Sequence, residues 1–154
     1  MCIRDSTYHD KLAEILRKTK ENFGRVILYD CHSMPQEAVK SLGSSWEKIP
    51  DIVLGDCYGE ASDRKLLEKT ANVFKKQGLQ VSINQPFSGG FITKNYGHPI
   101  LKQDAIKIEV NRSLYMNELK IEKADNFNEF KKVISKVLKE LVYFGQEVIE
   151  LAAE

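Results

Sequence analysis

Apolar residues recur along this chain in two periods. Tyr8, Leu12, Ile15, Leu16 and Phe23 fall at helical spacing, with Thr7 placed to cap the helix and Gly24 to close it. The period then breaks. Val26 to Tyr29 form a continuous apolar and aromatic run that enters Asp30-Cys31-His32-Ser33 and is stopped by Met34-Pro35. This predicts a buried strand over 25–31 whose carboxyl end delivers a polar cluster, the place where open α/β sheets hold ligands. Between 33 and 50 the pattern is lost among Pro35, Gly43 and the only tryptophan, Trp46, which predicts a long loop over one end of the sheet with Trp46 as its hydrophobic anchor.

The second half repeats the alternation. Residues 51–55 (DIVLG) predict a second short buried strand, followed by the polar turn Asp56 to Asp63. A helix is expected from Asp63 or Arg64 to Gln77, with Leu66, Leu67, Ala71 and Phe74 as its core stripe and Gly78 as its stop. A strand over 79–84 and a loop over 85–93 containing Gly89-Gly90 come next. In AIKIEVN (105–111) the β-branched Ile106, Ile108 and Val110 alternate with Lys107 and Glu109, so Glu109 faces away from them. From Asn126 to about Leu151, Phe127, Phe130, Val133, Ile134, Val137, Leu138, Leu141 and Val142 trace a long amphipathic helix that packs across the sheet. Helices and strands in this order predict an α/β sandwich with a mixed or largely parallel sheet and loops gathered at a common edge.

Composition narrows the partners. At 154 residues and 42% hydrophobic, the chain supports one core and one domain, taken as 7–154; Met1 to Ser6 has no periodicity and reads as non-native sequence. Its 23 basic and 22 acidic side chains leave a charge of +1, so neither nucleic acid nor an anionic membrane is expected as a partner. Cys2, Cys31 and Cys57 are odd in number and lack close CxxC pairing, which fits a reducing, cytoplasmic location. Neither a membrane span nor a secretory leader is evident.

The polar residues near strand ends are Asp30, His32, Ser33, Asp56, Asn84, Gly89, Gly90, Thr93, Glu109, Asn111 and Arg112. A neutral imidazole binds zinc, a neighbouring carboxylate orients it, and a second carboxylate takes a proton from an activated water. Arg112 offers a planar fork for a substrate carboxylate. By residue type alone a solitary His after a strand is more often a hydrogen-bonded loop residue than a ligand. Ser33 as a nucleophile has only His9 and His98 as further histidines, neither in a persuasive context. HExxH, P-loop, GxSxG and dinucleotide fingerprints are all absent.

Several segments taken in order carry a resemblance. Tyr8-His9 through Leu12, ILYDCHSMP (27–35), DIVLGDCYGEASD (51–63), NQPFSGGFIT (84–93) with Tyr96-Gly97-His98-Pro99, and IKIEVNRSLYM (106–116) together resemble the carboxyl-terminal part of the N-formylglutamate amidohydrolase family. The resemblance implies a three-layer α/β/α sandwich related to the zinc carboxypeptidases, incomplete at its amino end. It also implies a zinc-dependent amidase that cleaves N-formyl-L-glutamate to glutamate and formate in histidine breakdown. By similarity His32 would be a zinc ligand, with Asp30 behind it, and Glu109 the general base. Arg112 would contact the substrate carboxylate, and Gly89, Gly90 and Thr93 would line the pocket. Lys107 stands where the family usually has Gln, and Ala61-Ser62 replaces a more usual Ser/Thr-Cys pair. The family's other metal ligands come from an earlier segment, so the 154-residue chain is expected to bind zinc weakly or not at all and to be inactive alone, while its parent is active. Two further readings stand beside this one: a non-catalytic α/β module that binds a small carboxylate, and a related zinc hydrolase of another N-acyl amino acid.

Overall fold

The computed structural model describes residues 3–42 and 49–150. Trp46 lies outside the described residues. Helix α1 spans Ile3–Phe23, so the first helix starts before Thr7, which is therefore not its cap. Strand β1 is Val26–Met34, helix α2 Gln36–Leu42 and strand β2 Ile52–Gly55. Helix α3 is Arg64–Lys76, strand β3 Val81–Ile83, helix α4 Phe91–Tyr96 and strand β4 Gln103–Asn111. A small hairpin of β5 (Met116–Asn117) and β6 (Glu122–Lys123) precedes helix α5, Phe127–Glu150.

Among the described residues the main sheet is four-stranded, in the order β1-β4-β2-β3. β1 runs parallel to β4 and β2 parallel to β3, while β2 and β4 are antiparallel. The mixed sheet corrects one expectation about the loops. Because β2 and β3 run against β1 and β4, the turn after β2 and the loop after β3 leave the end of the sheet opposite to His32. A second correction concerns β1, which is an edge strand and exposed at Cys31 and His32 rather than buried throughout.

Alternation assigns each face. Ile27, Tyr29, Ile52, Leu54, Ile106, Ile108 and Val110 pack with Leu66, Leu67, Ala71 and Phe74 of α3 and Ile134, Val137 and Leu141 of α5 in the main core. The other face carries two smaller apolar clusters. At the amino end of β1, Val26 and Leu28 meet Leu12 and Leu16 of α1 and Ile92 and Tyr96 of α4. At its carboxyl end, Met34 and Val53 meet Val39 of α2 and Phe87. Helices thus cover both sides of the sheet, and the second face leaves its middle to polar residues. The predicted stripe of α1 is only partly used: Leu16 is buried, whereas Tyr8, Ile15 and Phe23 are exposed.

Buried polar groups tie these pieces together. Asp104 is fully buried on β4; its Oδ2 accepts from Arg25 Nε at 2.9 Å and its Oδ1 from the Asp63 backbone N–H at 2.7 Å. Asp63 caps α3 in turn, accepting from the Lys65 and Leu66 N–H groups. Near the end of β2, the Asp56 carboxylate accepts from Asn84 Nδ2 at 2.8 Å, Ser62 Oγ at 3.1 Å and the Gly59 N–H at 3.0 Å. This network joins the two loops that follow β2 and β3.

Candidate active site

The register of β1 and β4 builds the site. In that parallel pair His32 lies beside Glu109 and Asp30 beside Lys107. On the other flank of β4, Glu109 faces Val53 and Lys107 faces Gly55 of β2. Residues two apart on a strand share a face, so Asp30, His32, Lys107 and Glu109 form one polar patch between the two apolar clusters. His32 and Glu109, far apart in sequence, are thus brought to the same level of the same face.

Each strand closes one pair within this patch. His32 Nε2 is 2.9 Å from Asp30 Oδ1. Lys107 Nζ is 2.7 Å from Glu109 Oε1. Glu109 is buried, and its other oxygen, Oε2, has no hydrogen-bond partner among the described residues. An acceptor left open in this way loses its hydration without compensation, a cost tolerated where a ligand or a reacting water supplies the missing donor.

A wall stands over the β2 side of the patch. A Cβ on Gly55 would lie 2.6 Å from the Ser88 carbonyl carbon and 2.7 Å from the Gly89 nitrogen, so only glycine lets this loop lie against the strand. The Cys57 N–H donates to the Ser88 carbonyl at 2.6 Å, which ties the loop to the turn after β2. Gly89 itself has φ +148 and packs on Cys57 Sγ and on Thr93. Thr93, in α4, is fully buried and its Oγ1 has no hydrogen-bond partner among the described residues. Gly90 comes next to the Lys107 ammonium, with 3.9 Å between its Cβ position and Nζ. Burial pushes the Cys57 thiol up, helped by the negative charges of Glu60 and Asp56.

Arg112 follows β4 directly and donates Nε–H to Ser33 Oγ at 3.1 Å. Ser33 alternates with His32 along β1 and leaves the opposite face, so this bond holds the guanidinium beside the strand end and away from the Glu109 patch. None of the described ion pairs involves it. The other two histidines have other partners. His9 Nδ1 is 2.8 Å from the Tyr96 hydroxyl, and His98 pairs with Gln103 at the far end of β4. Gln103 is six residues from Glu109, about 20 Å along a strand, so His98 does not join His32.

This donor set bears directly on zinc. A catalytic zinc takes three protein ligands and an open position. Among the described residues no group of three His, Cys, Asp or Glu side chains could hold a metal. They provide one imidazole, already oriented through Nε2 by Asp30 so that Nδ1 stays open, and do not by themselves fit a complete zinc centre.

Fold and patch together define a mixed-sheet α/β protein with an imidazole and a buried carboxylate side by side. A family model described as N-formylglutamate amidohydrolase matches residues 6–116, and the chain belongs to that family. The N-formylglutamate deformylase of Pseudomonas aeruginosa is 30% identical over 143 residues, covering 91% of this chain and 53% of the relative. That of Pseudomonas putida is also 30% identical, covering 91% and 52%. The crystal structure of N-formylglutamate amidohydrolase from Ralstonia eutropha JMP134 superposes with a TM-score of 0.84 at 25% identity, over 92% of this chain and 51% of that one. The chain spans about half the length of the curated relatives it matches.

Lys107 and Gly55 are the site residues that the sequence reading left without a role. Their signals were faint but present: Lys107 shares the polar side of an alternating strand with Glu109, and Gly55 ends a strand of otherwise bulky residues.

Proposed function

We propose that this chain carries the base-bearing part of an amidohydrolase that cleaves N-formyl-L-glutamate to L-glutamate and formate. The observation that carries the reading is Glu109: a buried carboxylate with one committed and one open oxygen, level with His32 in a chain of this family. Glu109 Oε2 accepts the proton of the attacking water, and the Ser88–Gly90 wall confines the substrate on the β2 side. Gly89, Gly90 and Thr93 line that wall, and Arg112 takes the substrate carboxylate after releasing Ser33.

His32 serves as one ligand of a zinc ion, with Asp30 holding its ring. The remaining ligands have to come from outside the described residues. The described residues by themselves are therefore expected to hold zinc weakly and to release no formate. The product glutamate fits a step of histidine breakdown in the cytoplasm, where the free thiols of Cys31 and Cys57 persist.

A hybrid in which this chain replaces the stretch it matches in the Pseudomonas putida relative tests the reading. Formate release that requires zinc, together with lower zinc occupancy in His32→Ala, is the expected result. A hybrid equally active after chelation, or His32→Ala with unchanged zinc, overturns the metal assignment.

The lack of a three-ligand group among the described residues favours a second reading, a non-catalytic module that binds a small carboxylate through Arg112. Calorimetry of the metal-free chain with glutamate decides it. Saturable heat abolished by Arg112→Ala supports the module, and no heat at millimolar ligand rejects it.

A further inference from the structure

Acidic and basic side chains alternate around the polar patch. Asp30 neighbours Lys107 across the strands, Lys107 pairs with Glu109 along β4, Glu109 neighbours His32, and His32 pairs back to Asp30. Of the two basic side chains, Lys107 is the more enclosed. Its side chain is 17% exposed, with Asp30 on one flank, Gly55 on the other and Gly90 beside its ammonium.

We infer that Lys107 is a positioning residue: its ammonium fixes Glu109 Oε1 and leaves Oε2 as the single oxygen presented to the site. The inference rests on the reading of Glu109 as the base. A glutamate side chain turns about three bonds and can present either oxygen. A short charge-assisted hydrogen bond, 2.7 Å here, removes that freedom at one oxygen, and removal from water strengthens it. The unpartnered state of Oε2 is then a consequence of the pairing at Oε1. The same ammonium compensates the buried carboxylate with a charge from the chain itself, so the patch folds without a metal cation on Glu109. A glutamine here could donate amide N–H groups but could not supply the charge.

Nuclear magnetic resonance on the full chain, labelled with 13C and 15N and free of metal, tests this whether or not the chain turns over substrate. The expected result is a through-hydrogen-bond coupling between Lys107 Nζ and the Glu109 carboxylate carbon, with the Glu109 side chain in one rotamer. In Lys107→Met the Glu109 side chain averages over rotamers, and in Lys107→Arg the single rotamer returns. A Glu109 side chain already averaged in the native chain, or equally ordered in Lys107→Met, overturns the inference. If Lys107→Met does not fold, Lys107→Gln provides the same comparison, with partial averaging expected and native-like order overturning the role of the charge. The base assignment fails separately: an ordered Glu109 in an enzyme indifferent to Glu109→Gln removes the base and leaves the orienting contact in place.

Discussion

Replacing Gly55 with alanine tests whether the site wall depends on a missing side chain. The added Cβ would meet Ser88 C at 2.6 Å, Gly89 N at 2.7 Å and Ser88 O at 2.8 Å, all of them backbone atoms. Carbon atoms rest about 3.5–4.0 Å apart, so the loop has to withdraw by roughly 1 Å. Withdrawal pulls on the 2.6 Å bond from the Cys57 N–H to the Ser88 carbonyl and lifts Gly90 away from Lys107. Overpacking of this kind costs about 1–3 kcal/mol. In a domain of this size each kcal/mol lowers Tm by roughly 2–4 °C, so a fall of about 2–12 °C is expected. Gly90→Ala is the control, because its Cβ position has nothing nearer than 3.9 Å and its φ of −162 is ordinary extended backbone. Thermal melts followed by circular dichroism, with amide shifts at Gly90 and Lys107, read both effects. A Gly55→Ala protein that melts with the native chain, or a Gly90→Ala protein damaged as much, refutes the reasoning.

Other substitutions probe the scaffold and the thiol. Asp104→Ala leaves the half-buried Arg25 guanidinium and the Asp63 N–H without their acceptor, and is expected to cost about 3–5 kcal/mol in urea denaturation; a loss under 1 kcal/mol, about the worth of an exposed pair, would contradict that. Asp63→Ala removes the cap of α3 and should cost about 1 kcal/mol, with Asp63→Ser recovering most of it. Cys57 has its thiol pushed up, first by burial and then by Glu60 and Asp56, so it holds less thiolate than an ordinary cysteine at any given pH below its own titration. Its alkylation, mapped by mass spectrometry, should be slow at neutral pH and still be rising above about pH 8.5; a rate that levels off below that pH counts against the assignment.

How much of this was legible in the residues varies with the range of the interaction involved. Helix α3 was readable almost to the residue, because Asp63, the Leu66-Leu67-Ala71-Phe74 stripe and Gly78 are local signals. The alternation in β4 likewise placed Glu109 on the face opposite Ile106, Ile108 and Val110. Strand direction was another matter. Four residues of β2 carry no mark of running against β4, so the loops assigned to one edge separate to two ends. The edge position of β1 was equally hidden, since Val26 to Tyr29 read the same on an edge as in the centre of a sheet. Short helices also escaped: α2 and α4 occupy stretches that looked like loops, their few apolar residues being too few to establish a period.

The candidate site shows the same division. His32 and Glu109 could be named from the company they keep in the sequence, but only the β1–β4 register puts them side by side. The Ser88–Gly89 wall needed Gly55, whose importance lies in a side chain it does not have.

The central claim is that Glu109 is the base of an N-formylglutamate amidohydrolase, and the most direct measurement is turnover and zinc content of Glu109→Gln in the hybrid enzyme. The account predicts that formate release is lost while bound zinc stays at the level of the unsubstituted hybrid. Formate release at the unsubstituted rate in Glu109→Gln would contradict it.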